Sequence, residues 1–395
     1  MSLHAQPPVY SPLSAGAIAA GLQAALAGGG GARAHVETIL KSRYRSRALA
    51  LTDSGTSALA LAFRLAAARR PGRPVLLPAW GCFDLVTAAL AADVRVVFYD
   101  VDPATLGPDW RSLEAAVRLD PAAVVAVHFY GLPIDWAGFE AAVTPSGAAI
   151  IEDAAQGAGA EIGGRPVGGL GDLAILSFGR GKGITGGGGG ALLVNAPAWV
   201  ADIEGRGLPT PRGDFADAVA LIAQWILTRP SLFGLPAGLP WLGLGQTVFR
   251  APHPVGGLSA LSAGVLGSTL ALAEAETEAR RRNAGLLTQG LRGSRLELMR
   301  EVAGTQAGWL RLPARLRSGA AQDLGTDSRA RALGIYPSYP KVLNELPGMA
   351  EWVAERVGDL SGARELVERL LTLPTHSAVH DADVQRLVAW SLEAR

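Results

Sequence analysis

Residues 148–156 read Ala148-Ala149-Ile150-Ile151-Glu152-Asp153-Ala154-Ala155-Gln156, and residues 173–182 read Leu173-Ala174-Ile175-Leu176-Ser177-Phe178-Gly179-Arg180-Gly181-Lys182. Each begins as a short apolar run of the kind that forms a strand buried on both faces. The first closes on a carboxylate and the second on an amine. Only three of the 36 basic residues are lysines, namely Lys41, Lys182 and Lys341. An amine that can lose its proton condenses with an aldehyde, whereas a guanidinium stays protonated at any working pH. The pair therefore points to pyridoxal 5'-phosphate, with Lys182 as Schiff base and Asp153 facing the pyridine nitrogen.

Around these two runs, from about Leu49 to Val194, helical and strand-like patterns alternate. That alternation predicts an α/β fold with a mainly parallel central sheet between helices. Strands are expected at Val75 to Leu77, Val94 to Phe98, Ala123 to His128, Ala148 to Ile151, Ala174 to Phe178 and Ala191 to Val194. Helices are expected at Ser57 to Arg69, Phe83 to Ala92, Ser112 to Arg118 and Trp136 to Val143. In such a sheet ligands gather at the carboxyl ends of the strands, where Asp153 and Lys182 both fall.

Beyond Val194 the pattern changes. An apolar insertion at about 199–250 holds two uncharged runs, Ala218 to Thr228 and Ser231 to Phe249. The first is too short to span a membrane, and the second is interrupted by Pro236, Pro240 and several glycines. Two readings stay open: a lid or dimer surface, or peripheral membrane contact through 215–249. Ser259 to Leu287 reads as one long helix. Its series Glu274, Glu276, Glu278, Arg280, Arg281 and Arg282 is expected to be a solvated face with i,i+4 pairs. After about Gly304, shorter signals ending in a helix from Asp381 to Ala394 suggest a small α+β domain. The division is thus an arm over 1–48, a large cofactor domain over 49–255, and a connecting helix with a small domain over 256–395.

The 395 residues, 49% of them hydrophobic, describe a globular chain with room for a large core. A net charge of +1 without dense basic clusters leaves no electrostatic footprint for nucleic acid. The single cysteine, Cys82, excludes an internal disulfide and fits a reducing compartment. Met1 to Pro12 has no basic flank followed by an apolar core, so a cytoplasmic protein is expected. Cys82 itself reads as a small buried hydrophobe or as a nucleophile. No set of metal ligands is assigned.

Ser54-Gly55-Thr56-Ser57 stands just before a helix, where it can cap the helix and offer amides to an anion. Together with Ser177 and Lys182 it forms a candidate phosphate cradle. Asp153, at the end of a buried strand, needs a partner to stay charged, and a protonated pyridine nitrogen is one. The bland alternatives are a helix cap for Asp153 and a solvated loop position for Lys182.

These residues resemble the DegT/DnrJ/EryC1/StrS aminotransferases. The resemblance covers about Leu51 to Asn195 and rests on four motifs in order. Ser54 to Leu59 is similar to the family's phosphate-binding turn, and Val127-His128-Phe129-Tyr130-Gly131 to its strand-end motif. Glu152 to Gln156 is similar to its pyridine-binding motif, and Ser177 to Lys182 to its lysine motif. Leu373-Pro374-Thr375-His376 resembles its closing segment. The resemblance implies a fold-type I enzyme, a homodimer, moving an amino group from a donor such as glutamate to a keto-sugar or related carbonyl acceptor. By the same resemblance Lys182 is the Schiff-base lysine and Asp153 the partner of the ring nitrogen. Gln156 contacts the ring's hydroxyl side, Gly55, Thr56 and Ser177 hold the phosphate, and Trp80 or Phe83 stacks on the ring. Two departures bear on the substrate rather than the cofactor. Gly188 stands where the family often has glutamate, and Val255 to Ser259 stands where it has an Asn-Tyr-Arg-Met-Ser segment. A non-catalytic relative and an enzyme acting on a lipid-linked acceptor at the membrane surface are the alternatives.

Overall fold

The computed structural model describes residues 5–211, 215–237 and 247–393. Residues 1–4 of the leader reading and 238–246 of the insertion lie outside them. Eight strands form the central sheet: β1 (Ala48–Thr52), β2 (Val75–Pro78), β3 (Val96–Tyr99), β4 (Ala123–Val127), β5 (Ala149–Asp153), β6 (Leu173–Ser177), β7 (Gly190–Val194) and, far along the chain, β11 (Val353–Arg356). Their spatial order is β1-β7-β6-β5-β4-β2-β3-β11. The run from β6 to β11 is parallel throughout, whereas β7 is antiparallel to both β6 and β1. Two reversals restore the direction of β1, so its carboxyl end lies on the same edge as those of β5 and β6.

The sheet is covered on both faces, as its continuous apolar strands require. Val75, Leu77, Val125, Val127 and Ile151 share one core with α3 (Gly55–Arg69) and α4 (Asp84–Ala92). The alternate residues Leu76, Val124, Ala126 and Ile150 face α5 (Trp110–Val117) and α6 (Trp136–Val143). Toward the β1 edge, Ala174, Leu176, Ala191 and Leu193 pack with α2 (Gly30–Tyr44) and α9 (Ala260–Thr269). The helix before α2, α1 (Ala15–Leu26), lies against α9, and the insertion supplies α7 (Phe215–Leu227) and α8 (Pro230–Ala237).

A second, antiparallel sheet is built from β8 (Leu296–Leu298), β9 (Leu312–Leu316), β12 (Leu370–Leu373) and β10 (Tyr336–Pro337), in that order. It shares a core with α10 (Ala273–Gly290) and α11 (Asp381–Leu392). Strand β11 lies within the stretch assigned from sequence to the small domain, yet it pairs with β3 at the edge of the large sheet.

The long helix expected over Ser259 to Leu287 is two helices, α9 and α10, separated by a 3-10 turn at Leu270–Leu272. At the break the Thr269 hydroxyl donates to the Thr185 carbonyl at 2.6 Å. The charged face of α10 also differs from expectation, because Arg280 is 2% exposed. Its guanidinium donates to the carbonyls of Gly308 and Ala158, both at 2.9 Å, and burial lowers its pKa to about 10. Neighbouring Arg281 donates to the carbonyls of Ala307 and Gly159. The two arginines satisfy the carbonyls of two loops, which a buried connection requires.

Candidate active site

The carboxyl ends of β1, β5 and β6 border one cavity of about 380 Å³. Asp153 is the last residue of β5 and Ser177 the last of β6. Strand β1 runs through Asp53 into α3, whose N-cap Ser54 accepts from the Ser57 amide at 3.1 Å. That leaves the amides of Gly55 and Thr56 on the first turn, the usual place for an anion at a helix start. The turn sits hard against β6: a Cβ at position 55 would fall 2.8 Å from the Ser177 Cβ. Only glycine lets backbone, hydroxyl and amides share so small a volume.

Lys182 lines the same cavity, held between two left-handed glycines, Gly181 (φ 75°) and Gly183 (φ 77°). The loop is pinned at its base by Phe178 and Gly189, joined through the Phe178 amide at 2.8 Å. At its tip the Gly181 amide donates to the Ser11 hydroxyl of the N-terminal arm at 3.0 Å. Asp153 accepts from the Ala155 amide at 3.0 Å. Burial raises its pKa, against the lowering influence of that bond, of Lys182 and of His128. Gln156 accepts from the Tyr130 amide at 3.1 Å and donates to the Tyr339 hydroxyl at 2.8 Å, which fixes the amide's orientation and leaves one N–H free.

The structure thus brings Gly55, Thr56, Asp153, Gln156, Ser177 and Lys182 together. It does not bring Trp80 or Phe83 to the cavity, and the stacking role expected of them is corrected accordingly. Trp80 is fully buried, its ring 4.9 Å from that of Phe129 and 5.0 Å from that of Tyr339. Phe83 is 4% exposed in the same core. Large rings at the end of a central strand are stabilised more by burial among aromatics than at a wet cavity. Cys82 and Phe129 line the cavity instead. Burial and the neighbouring Asp84 push the Cys82 thiol up to about 12, which removes the nucleophile reading and leaves that of a small apolar residue.

Sequence reasoning missed Arg180, Arg250 and His253, which also line the cavity. Arg180 sits inside the lysine motif, but Arg250 and His253 belong to a stretch with no periodic pattern to place them. A second cavity of about 370 Å³ shares Asp53, Arg180, Gly188 and Gly189 with the first and is closed by Asp217, Leu221 and Gln224 of α7.

This donor set fits pyridoxal phosphate: a cradle of amides and hydroxyls that a Cβ would fill, a carboxyl whose pKa burial raises, and an amine lining the same cavity. The sequence profile of the DegT/DnrJ/EryC1/StrS aminotransferase family matches residues 23–205 and 256–391, skipping the insertion. UDP-N-acetyl-3-dehydro-alpha-D-glucosamine 3-aminotransferase of Acidithiobacillus ferrooxidans is 28% identical over 336 residues, covering 85% of this chain and 80% of that protein. L-glutamine:2-deoxy-scyllo-inosose aminotransferase of Streptomyces lividus is 29% identical over 296 residues, 73% of this chain and 65% of that one. A Streptococcus pneumoniae protein assigned as a sugar aminotransferase and solved in its PMP form shares the fold, with TM-score 0.76 and 17% identity over 98% of this chain and 97% of that one. The chain belongs to the DegT/DnrJ/EryC1/StrS family and is a pyridoxal-phosphate-dependent aminotransferase.

Proposed function

We propose that the enzyme takes an amino group from an amino-acid donor such as glutamate and delivers it to a keto-sugar or related cyclic carbonyl acceptor. The observation that carries this reading is the convergence of Lys182, Asp153, Ser177 and the Gly55-Thr56 turn on one cavity from three separate strand ends. The relatives named above, acting on a dehydro-sugar nucleotide and on an inosose, support the acceptor class. When bound, pyridoxal phosphate supplies an aldehyde and an electron-withdrawing ring. Lys182 would be the residue that holds that aldehyde, and its free amine would move the proton at the substrate carbon. Asp153 would keep the ring nitrogen protonated, Gly55, Thr56 and Ser177 would hold the phosphate, and Gln156 would contact the ring's hydroxyl side. The second cavity, walled by α7, offers the acceptor space next to the reacting centre.

The same helix exposes Val219, Ile222 and Ile226, one stripe at i, i+3 and i+7. This supports the homodimer implied by the family resemblance, with that stripe covered by the second copy, and leaves contact with a lipid surface as the competing role. Among the described residues, no helix is long and apolar enough to cross a membrane. The decisive experiment compares wild type with Lys182→Ala after loading with cofactor. Wild type should change its visible absorbance on adding glutamate and form aminated product with a keto-sugar. The variant should do neither, and turnover by Lys182→Ala would overturn the reading.

A further inference from the structure

Residues 186–190 are five consecutive glycines, and the fold requires four of them. At Gly186 a Cβ would fall 2.7 Å from the Gly188 carbonyl oxygen and 3.0 Å from that of Ser262. Gly187 and Gly189 lie in the left-handed region, at φ 78° and 105°, and a Cβ on Gly189 would also meet Leu258 Cδ1 at 2.3 Å. Gly190 opens β7 hard against the start of α3, where a Cβ would fall 2.5 Å from the Ser54 carbonyl. Positions so strained or so closely packed admit no side chain. Gly188 differs. Its φ is not positive, and among the described residues a Cβ there would come near only the Ser262 Oγ, at an ordinary contact distance of 3.8 Å.

Gly188 stands where the two cavities meet, and it lines both. On one side lie Lys182, Ser177 and the Gly55-Thr56 turn. On the other lie Ser259 and Ser262 and, from α7, Leu221 and Gln224. The α7 wall is fixed to the body of the protein, because Leu221 is 4% exposed and packs with Leu13, Ala17, Leu261 and Val265. It also lies directly on the glycine run, where a Cβ at Gly187 would fall 2.7 Å from the Leu221 Cδ2. A side chain at position 188 would therefore grow into the passage between the cavities. Neither backbone geometry nor packing accounts for a glycine there, whereas a path kept open to Lys182 does.

We infer that Gly188 sets the choice of acceptor: it lets a hydroxylated ring ketone that carries no diphosphate sit against α7 and reach Lys182. This deepens the acceptor reading above and rests on it. Gln224, Ser259 and Ser262 present an amide and two hydroxyls to the α7 cavity, groups that pair with ring hydroxyls. The Ser259 hydroxyl caps α9 by accepting from the Ser262 amide at 3.0 Å, and its own hydrogen is left to donate. Among the described residues lining that cavity, Arg180 is the one cationic side chain, and the Asp53 carboxylate shares the wall with it. A diphosphate would bring more negative charge than one guanidinium beside a carboxylate answers.

The test measures the two half-reactions of the cofactor-loaded enzyme separately, each by its change in visible absorbance. L-glutamate is the donor probe, and the acceptor probes are 2-deoxy-scyllo-inosose and UDP-N-acetyl-3-dehydro-alpha-D-glucosamine. Wild type should use the inosose at least about 10-fold more efficiently than the UDP-linked sugar. In Gly188→Ala and Gly188→Leu the efficiency with the inosose should fall about 10-fold and about 100-fold, while the reaction with glutamate changes less than about threefold. Gly188→Ala should unfold at the wild-type urea concentration, whereas Gly189→Ala, barred by its φ and by Leu258, should unfold at a lower one. Four results would overturn the proposal: wild-type use of the inosose by Gly188→Leu, equal losses in both half-reactions, a Gly188→Ala as destabilised as Gly189→Ala, or a wild type that uses the UDP-linked sugar as well as the inosose. A wild type that reacts with glutamate but with neither ketone overturns the keto-ring reading itself, and the proposal with it.

Discussion

His128 and Glu152 meet at 3.2 Å as fully buried neighbours, Glu152 within β5 and His128 just past the end of β4. His128 Nδ1 accepts from the Ile134 amide, so Nε2 carries the hydrogen directed at the carboxylate. Glu152 accepts three further bonds, from the amides of Gly168, Leu170 and Gly171. One carboxylate therefore fastens the loop that leads into β6 and fixes the end of β5, where Asp153 begins the cavity wall.

Removing Glu152 should accordingly unsettle the fold before it touches chemistry. In Glu152→Ala two buried amides, one half-buried amide and an imidazole N–H lose their acceptor, a change expected to cost about 3–5 kcal/mol. Glu152→Gln keeps one acceptor oxygen but turns an NH2 toward donors, and should lie between. Denaturant unfolding of the cofactor-free proteins measures both. A loss under about 1 kcal/mol for the alanine variant would show that the carboxylate is not the anchor described here.

Asp153 should show opposite effects with and without cofactor. Without cofactor its pKa is raised, chiefly by burial. A carboxyl raised in the folded state contributes stability below its ordinary value of about 3.9, and that contribution is lost as pH rises through the folded value. Cofactor-free Asp153→Asn, which never ionises, should therefore melt about 2 °C above wild type at pH 7, with the gap closing below about pH 4. Adding pyridoxal phosphate should reverse the order, because only the carboxylate answers a protonated ring nitrogen. Calorimetric melts across pH, with and without cofactor, test this, and an Asn variant less stable than wild type in both states would contradict it.

What was legible in the sequence, and what was not, follows from the range of the interactions. Ser54 to Ser57, Asp153 to Gln156 and Ser177 to Lys182 each pair an apolar run with the turn that follows it, so a short window holds both strand and chemistry. Strand β11 was not legible, because its place beside β3 joins Val353 to Val96 and leaves no local periodicity. The fate of the α10 arginines was hidden for a related reason: a charged series reads as a wet face unless the carbonyls of loops 158–159 and 307–308 are known to lie against it. Trp80 misled through the opposite bias, since an aromatic at a strand end reads equally well as a stacking ring or as core.

Acid should loosen the N-terminal arm through His376. Burial first, then the nearby charges of Arg311 and Arg280, hold its pKa down to about 4, against the raising influence of the Pro7 carbonyl and Asp383. The ring also lies 5.7 Å from that of Tyr10, so the neutral imidazole ties residues 7–10 to the segment after β12. A histidine depressed in the folded state contributes stability that is complete above its ordinary value of about 6.5 and is lost as pH falls through the folded value. Between those limits the unfolded chain takes up a proton that the folded chain refuses, a difference of at most about 3.4 kcal/mol. His376→Gln keeps a donor for the Pro7 carbonyl but cannot titrate, so it should be less acid-sensitive than wild type from pH 6.5 to 4 while differing little in slope above pH 7. Parallel urea titrations of the two proteins at stepped pH measure that slope. Identical slopes below pH 6.5 would mean that His376 takes up its proton in the folded state, and that the arm is held by Gln6, whose amide donates to the Ala378 carbonyl, and Ser11, whose hydroxyl accepts from the Gly181 amide.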